Sequence, residues 1–265
     1  MTNKTKPAKK ASEIILPIIL PVLFIIVWFV WITIINPNTN LPSPIDIINR
    51  AVSMSIHGQI VRGQLAEYTW ITSRRAIIGL IAGGGAGFLF GIINSIFRLM
   101  DISLNATIQI LKNIPVLAFI ALVLVLFGIG ENVKIALIAC DVFFSVYISI
   151  YGGIKSIDAG LFEMGKAYGL NKATLFKEII LPAVFSYFSI GLRLSLRTMW
   201  LVLITVELIA PEDGIGYMAM DAVKSSQMDQ LVLSVIIYAL LSKLSDSMVR
   251  ALERNVLSWQ DTQVI

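Results

Sequence analysis

Charge is scarce in this sequence. Asp, Glu, Lys and Arg fill 14% of its 265 positions, against about 25% in soluble domains. That shortage excludes an ordinary water-soluble domain, which needs charge to keep its surface wet. Cys140 is the only cysteine and lies in an apolar run, so no intramolecular disulfide can form. His57 is the only histidine and sits in a polar segment without a ligand partner at metal-binding spacing. The net charge of +4 is too small to point to nucleic acid. No low-complexity tract, internal repeat or stretch long enough for a soluble domain stands out. What is abundant is hydrocarbon: 57% of residues are hydrophobic, in runs of the roughly 18 or more residues that cross a bilayer. The chain reads as an all-α, polytopic membrane protein.

Six spans are expected. A basic tail, 1–13, carries Lys4, Lys6, Lys9 and Lys10, and the uncharged stretch behind it is too long for a signal peptide. The remainder, 14–265, reads as one transmembrane domain. The first span runs from Ile14 to Ile35, with Trp28 and Trp31 as anchors. Residues 36–74, broken by Pro37, Pro42 and Pro44, read as a loop with short interfacial helices. The second span, Ala76 to Phe97, carries Gly79, Gly83, Gly87 and Gly91 at every fourth position. These stack on one helix face, where a neighbouring backbone can come close, and Gly84 and Gly85 widen the strip. The third span covers Asn113 to Gly130, the fourth Val133 to Ile154, the fifth Ile179 to Ala210 and the sixth Leu231 to Val249, interrupted by Lys243 and Asp246.

Lys and Arg set the orientation. With the amino terminus inside, inner segments hold Lys4, Lys6, Lys9, Lys10, Arg98, Lys112, Lys155, Lys166, Lys172, Lys177, Lys243, Arg250 and Arg254. Outer segments hold only Arg50, Arg62, Arg74, Arg75, Lys134 and Lys224. Thirteen against six puts both termini and the 155–178 loop in the cytoplasm.

That loop is the most informative stretch. Asp158 can cap a short helix, Gly169 can end it in the left-handed conformation, and Asn171 can cap a second helix running into Pro182. Leu161, Phe162, Met164 and Tyr168 give the first helix an apolar side, while Gly165 and Ala167 keep part of it thin. Two readings stand at this point: insertion into a cleft of a partner protein, or an amphipathic helix lying on the inner membrane surface. Gly160 to Lys166 also fits the start of a phosphate-binding loop. However, Ala167 stands where Ser or Thr would bind magnesium, no strand precedes it, and Glu163 would face the phosphates. ATP-driven work therefore needs a separate subunit.

Glu163, Gly169, Ile179, Leu181 and Pro182 resemble the cytoplasmic loop signature of ABC importer permeases. In that family a Glu-Ala-Ala triplet is followed by glycine four positions after its last residue, nine residues, then Ile-x-Leu-Pro. The spacing is fully kept, with Met164 and Gly165 in place of the alanines. The glycine implies a coupling helix more flexible than usual. Leu41-Pro-Ser-Pro44, Asn113 to Ala118, Phe127 to Gly130 and Gly214 to Tyr217 resemble the branch importing sulfonates, taurine, nitrate or bicarbonate. The stretches Glu163 to Leu170 and Tyr238 to Asp246 resemble aliphatic sulfonate permeases most.

The resemblance implies a MetI-like type I permease fold in the bacterial inner membrane, and two copies forming one pathway. It further implies two ATPase subunits that bind ATP and Mg, and a periplasmic or lipid-anchored binding protein that delivers substrate. The 155–182 loop would couple to the ATPase through Glu163, Met164, Gly165, Ala167, Tyr168, Gly169, Leu170, Ile179, Leu181 and Pro182. No cofactor or metal is expected in this chain, and no partner beyond these proteins and membrane lipid.

Within the spans, Asp141, Arg193, Arg197 and Glu207 are the candidate pathway residues. Arg193 lies roughly 16 Å along the helix from Pro182, and a charge near the bilayer centre costs about 2.5–3.5 kcal/mol on insertion scales. The two arginines either meet an anionic substrate, pair with Asp141 or Glu207, or snorkel to the inner surface. Arg193 sits in a Gly-Leu-Arg triplet that many permeases share, so Arg197 is the better candidate for anion preference. Glu207 is a candidate for gating. Trp200 and Met199 read as packing residues, and Gly214 to Gly216 as a tight outer turn. An ion-coupled secondary transporter would place more ionisable groups near the midplane, usually in two related halves. A thiamine-precursor importer looks alike at this level.

Overall fold

A computed structural model describes residues 11–35, 41–56 and 64–256. Lys4, Lys6, Lys9, Lys10, Pro37, His57 and Arg62 lie outside the described residues. Among those described there are eleven α-helices and no strand. In chain order they are α1 (Ala11–Val30), α2 (Pro44–Ile56), α3 (Gln64–Ile96), α4 (Arg98–Leu111), α5 (Val116–Phe127), α6 (Glu131–Lys155), α7 (Ala159–Ala167), α8 (Lys172–Leu175), α9 (Leu181–Ile209), α10 (Ile215–Lys224) and α11 (Met228–Val256). The helix α1 continues into a wider turn, Trp31–Ile35, and α8 reaches α9 through another, Phe176–Ile180, giving one rod over Ala173–Ile209.

Among the described residues, four helices are long and apolar enough to cross a membrane: Gln64–Ile96, Glu131–Lys155, Ala173–Ile209 and Met228–Arg254. A fifth crossing is available if α4 and α5, bent by 91°, count as one. The apolar stretch Ile19–Ile34 is shorter than these. The expected count of six is therefore approximate, and the third span differs most. It is a broken pair, because Pro115 fixes its own φ at −60° and supplies no backbone donor, so a new helix starts there after the turn at 112–114.

The second span also begins earlier than its uncharged core. Residues 64–75 extend α3 outward by three turns, so Arg74 and Arg75 belong to a helix and not to a loop. Ahead of it, the Leu41-Pro-Ser-Pro44 entry forms a reciprocal cap. The Ser43 backbone N–H donates to Asp46 Oδ2 (2.8 Å), and the Asp46 N–H donates to Ser43 Oγ (3.3 Å), with Pro44 at the first helical position.

The core is α3 laid on α6, with α9 across both. Side chains that are fully buried on α6 (Ile138, Val142, Val146, Ile150) meet the glycine strip of α3. A Cβ on Gly87 would stand 2.8 Å from the Phe143 carbonyl oxygen, and one on Gly91 3.0 Å from Ile150 Cβ. Gly79, Gly83, Gly87 and Gly91 are thus one groove into which α6 sinks. Gly85 is not part of it: it is exposed, and a Cβ there would meet nothing within 4 Å. With these long helices crossing the molecule, the 158–178 segment and the 210–215 segment lie at opposite ends.

Candidate functional site

Two sites lie at the two ends of the α9 rod. At one end is the hairpin of α7 and α8. The Asp158 carboxylate accepts from the Gly160 N–H (2.8 Å), starting α7. Gly169 closes it at φ +75°, a conformation glycine enters without strain, and the Leu170 N–H then reaches back to the Gly165 carbonyl (3.0 Å). Asn171 Oδ1 accepts from the Thr174 N–H (2.8 Å), starting α8. From there the helical path runs through Ile179, Leu181 and Pro182 into α9.

Gly165 has a different role from added flexibility. It is buried, and a Cβ there would run into the Leu175 side chain, itself 8% exposed. The glycine lets α7 lie flat on α8. Restoring the alanine of the resembling family, Gly165→Ala, should therefore loosen the hairpin. Leu175→Ala added to it should restore the lost packing room. Limited proteolysis of the hairpin checks this: the single variant should be cut faster than the double one.

On the opposite side α7 and the turn that follows it present Leu161 (43% exposed), Met164 (53%) and Tyr168 (80%), with Glu163 and Ala167 also exposed. Positions 161, 164 and 168 share one helix face. This is an apolar stripe that nothing among the described residues covers.

At the other end lies a buried ionic cluster. Arg75 and Glu207 are both fully buried, and Arg75 Nη1 donates to Glu207 Oε1 at 2.8 Å. Arg75 also donates to Glu131 Oε2 from Nε (2.8 Å) and Nη2 (2.6 Å), to the Asp213 carbonyl (3.0 Å) and to the Asp213 carboxylate. Glu207 accepts in addition from Thr72 Oγ1 (2.9 Å), the Tyr238 hydroxyl (2.7 Å) and the Gly216 N–H (2.9 Å). Gly214, at φ +97°, is the tight turn that admits them: a Cβ there would stand 2.6 Å from Glu207 Oε1. Beside the cluster, buried Lys134 donates to Glu212 (2.8 Å).

Glu207 is consequently not on an open wall in this conformation; it ties α3, α9, α10 and α11 together. Sequence reasoning missed Arg75 because it counted as a loop charge. Carrying the glycine register backward from Gly79 to Arg75 and Thr72 would have placed both on the face against the core.

The four charged candidates are not brought together, and neither arginine pairs with Asp141 or Glu207. Arg193 pairs with Glu253 of α11 (2.9 Å), a carboxylate that lies beyond the expected end of the sixth span. Asp141 accepts from the Thr198 hydroxyl (2.6 Å). Arg197 is exposed and makes no hydrogen bond among the described residues. Met199 and Trp200 are buried in the core.

These features define a class: a multi-pass α-helical membrane protein whose longest rod carries an exposed hairpin outside the bundle. The chain belongs to the family of binding-protein-dependent transport system inner membrane components, whose family model matches residues 76–258. It is 39% identical to the putative aliphatic sulfonates transport permease protein SsuC of Escherichia coli, over 96% of this chain and 95% of that one. With the SsuC protein of Bacillus subtilis it shares 34% identity over 98% and 92%. The taurine transport system permease protein TauC of Escherichia coli is 27% identical over 83% and 80%. Among solved structures, the MetNI methionine ABC transporter in inward-facing conformation matches with a TM-score of 0.53 at 18% identity, covering 71% of this chain and 95% of that one. The fold is therefore that of a MetI-like permease.

Proposed function

We propose that this chain is the membrane subunit of an ATP-driven importer that carries a small aliphatic sulfonate into the cytoplasm. Two copies form the pathway between them. Two separate ATPase subunits hold ATP and its magnesium and dock on the paired hairpins. A periplasmic or lipid-anchored binding protein brings the substrate to the opposite face. Both termini and the 155–182 loop face the cytoplasm, in keeping with the excess of Lys and Arg on that side. Support for the substrate comes from near full-length similarity to the two aliphatic sulfonate permeases. Taurine and nitrate permeases are more distant at 27% and 23% identity.

The observation that carries the coupling is the uncovered Leu161, Met164 and Tyr168 stripe, built on a hairpin that is helically continuous with α9. ATP closes the ATPase pair, the hairpins move, and α9 transmits the stroke to the pathway wall. Glu163, Gly169 and Leu170 set the docking geometry, and Pro182 marks where the lever meets the span.

Replacing Glu163 and Gly169 together by alanine tests this. Alanine at Gly169 must hold a left-handed backbone that costs it about 1 kcal/mol or more, so the turn re-forms differently. In proteoliposomes carrying the whole complex, uptake should drop to background while ATP hydrolysis continues. Uptake at the parental rate per ATP would refute the coupling role.

A further inference from the structure

The rod α9 and the helix α11 leave a cavity of about 360 Å³ between them, lined by Leu196, Arg197, Ala239, Ser242, Lys243 and Asp246. That volume is at the small end of ligand pockets, which run to roughly 300–1,000 Å³. Its depth is unusual for a charged site. At about 1.5 Å per residue, Arg197 stands roughly 15 Å from Glu207 and roughly 22 Å from Pro182, and Lys243 roughly 22 Å from Met228. Both cations thus lie within the length of helix that a hydrocarbon layer about 30 Å thick would cover.

The charges in the cavity do not cancel. Asp246 is the one carboxylate among its lining residues, and it already accepts two bonds from Arg250, at 2.9 Å from Nε and 2.7 Å from Nη2. Arg193, a turn away, is likewise satisfied by Glu253. Arg197 and Lys243 are both exposed; the charges of both act on Asp246, and among the described residues neither has a carboxylate within ion-pair distance. Two cations that share one carboxylate, itself already bound by Arg250, cannot face acyl chains without a penalty. They mark a face that meets water or an anion. Against them stand the apolar side chains of Leu196 and Ala239 and one hydroxyl, from Ser242.

We propose that this cavity is the membrane way-station for the substrate, binding an anion with a short apolar tail of the alkanesulfonate class. Arg197 and Lys243 hold the three-oxygen head, with the Ser242 hydroxyl as an added donor, and the tail lies on Leu196 and Ala239. A sulfonate stays ionised across the physiological range, so a fixed pair of cations suits it. Its three oxygens let a planar guanidinium and a point-like ammonium bind at once. This assignment rests on the import reading above; it adds Lys243 and a tail surface to it.

Trifluoroethanesulfonate followed by fluorine NMR is the probe, titrated onto the permease–ATPase complex in nanodiscs without binding protein. Saturable binding is expected. Arg197→Gln and Lys243→Gln should each weaken it by about tenfold or more, the factor that loss of a charge-assisted hydrogen bond carries. Lys243→Arg should retain binding. Ethanesulfonate should displace the probe better than nitrate, which has no tail.

Equal binding by the parent and the Arg197→Gln/Lys243→Gln complex would overturn the proposal, as would displacement by nitrate as strong as by ethanesulfonate. Separation of the variant complex into single permease copies would do so too, by placing the cations at a subunit contact. Uptake with the binding protein present separates the two levels. A parent complex that imports no sulfonate refutes the import reading. A parent that imports it, with both glutamine variants equal to it in uptake and probe binding, refutes the cavity alone.

Discussion

Gly83→Val should abolish the folded permease, while Gly85→Val, two residues on, should leave it intact. The difference lies in what the first added carbon meets. At Gly83 a Cβ would fall on the main chain of Ala139, 2.9 Å from both its carbonyl carbon and its Cα, and closer still to its oxygen. Main chain cannot rotate out of the way as a side chain can, so α3 and α6 must separate along the groove. Overpacking of a core commonly costs ~1–3 kcal/mol. Here the separation would also open the neighbouring contacts at Gly79 and Gly87, so the loss should exceed that range. At Gly85 a Cβ meets open space, and valine there keeps the helix and faces outward. Thermal unfolding of detergent-extracted protein, read as the monodisperse fraction after heating, checks the pair. Equal melting of the two variants would show that the glycine strip does not set the approach of the helices.

That strip was legible in the sequence because period four on a helix is a geometric statement: Gly79, Gly83, Gly87 and Gly91 share a face whatever surrounds them. The hairpin was legible for a similar reason. Asp158, Gly169 and Asn171 each act on backbone groups within four residues, so local spacing is enough to place the caps. The ends of the spans were not, because the search for uncharged runs stops at the first charge. Arg75 and Lys134 are charged and yet fully buried, each satisfied by carboxylates far along the chain, at Glu131, Glu207 and Glu212. Such pairings need the third dimension. The same holds for Arg193, whose partner Glu253 comes from the opposite run of the antiparallel pair of α9 and α11. Broken geometry at Pro115 was visible as a break but not as a bend of 91°, since direction depends on what the second helix packs against.

The buried cluster carries the second large effect, and its sign is asymmetric. Arg75→Met should cost about 3–5 kcal/mol, the range found when one partner of a buried ion pair is removed. It leaves Glu207 charged, fully buried, and held only by the neutral donors Thr72, Tyr238 and the Gly216 N–H. Glu207→Gln should cost far less, roughly 1–2 kcal/mol. The amide oxygen keeps an acceptor in place, and Arg75 still has Glu131 and Asp213 to balance it. Because the damage in Arg75→Met is an unpaired charge, removing that charge should repair it. The double variant Arg75→Met/Glu207→Gln should be more stable than Arg75→Met alone. Denaturation of the purified permease in one detergent, run on all three, reads the order. A double variant weaker than Arg75→Met would mean that Arg75 stabilises this end by filling space, since only the charge account makes the second substitution a repair.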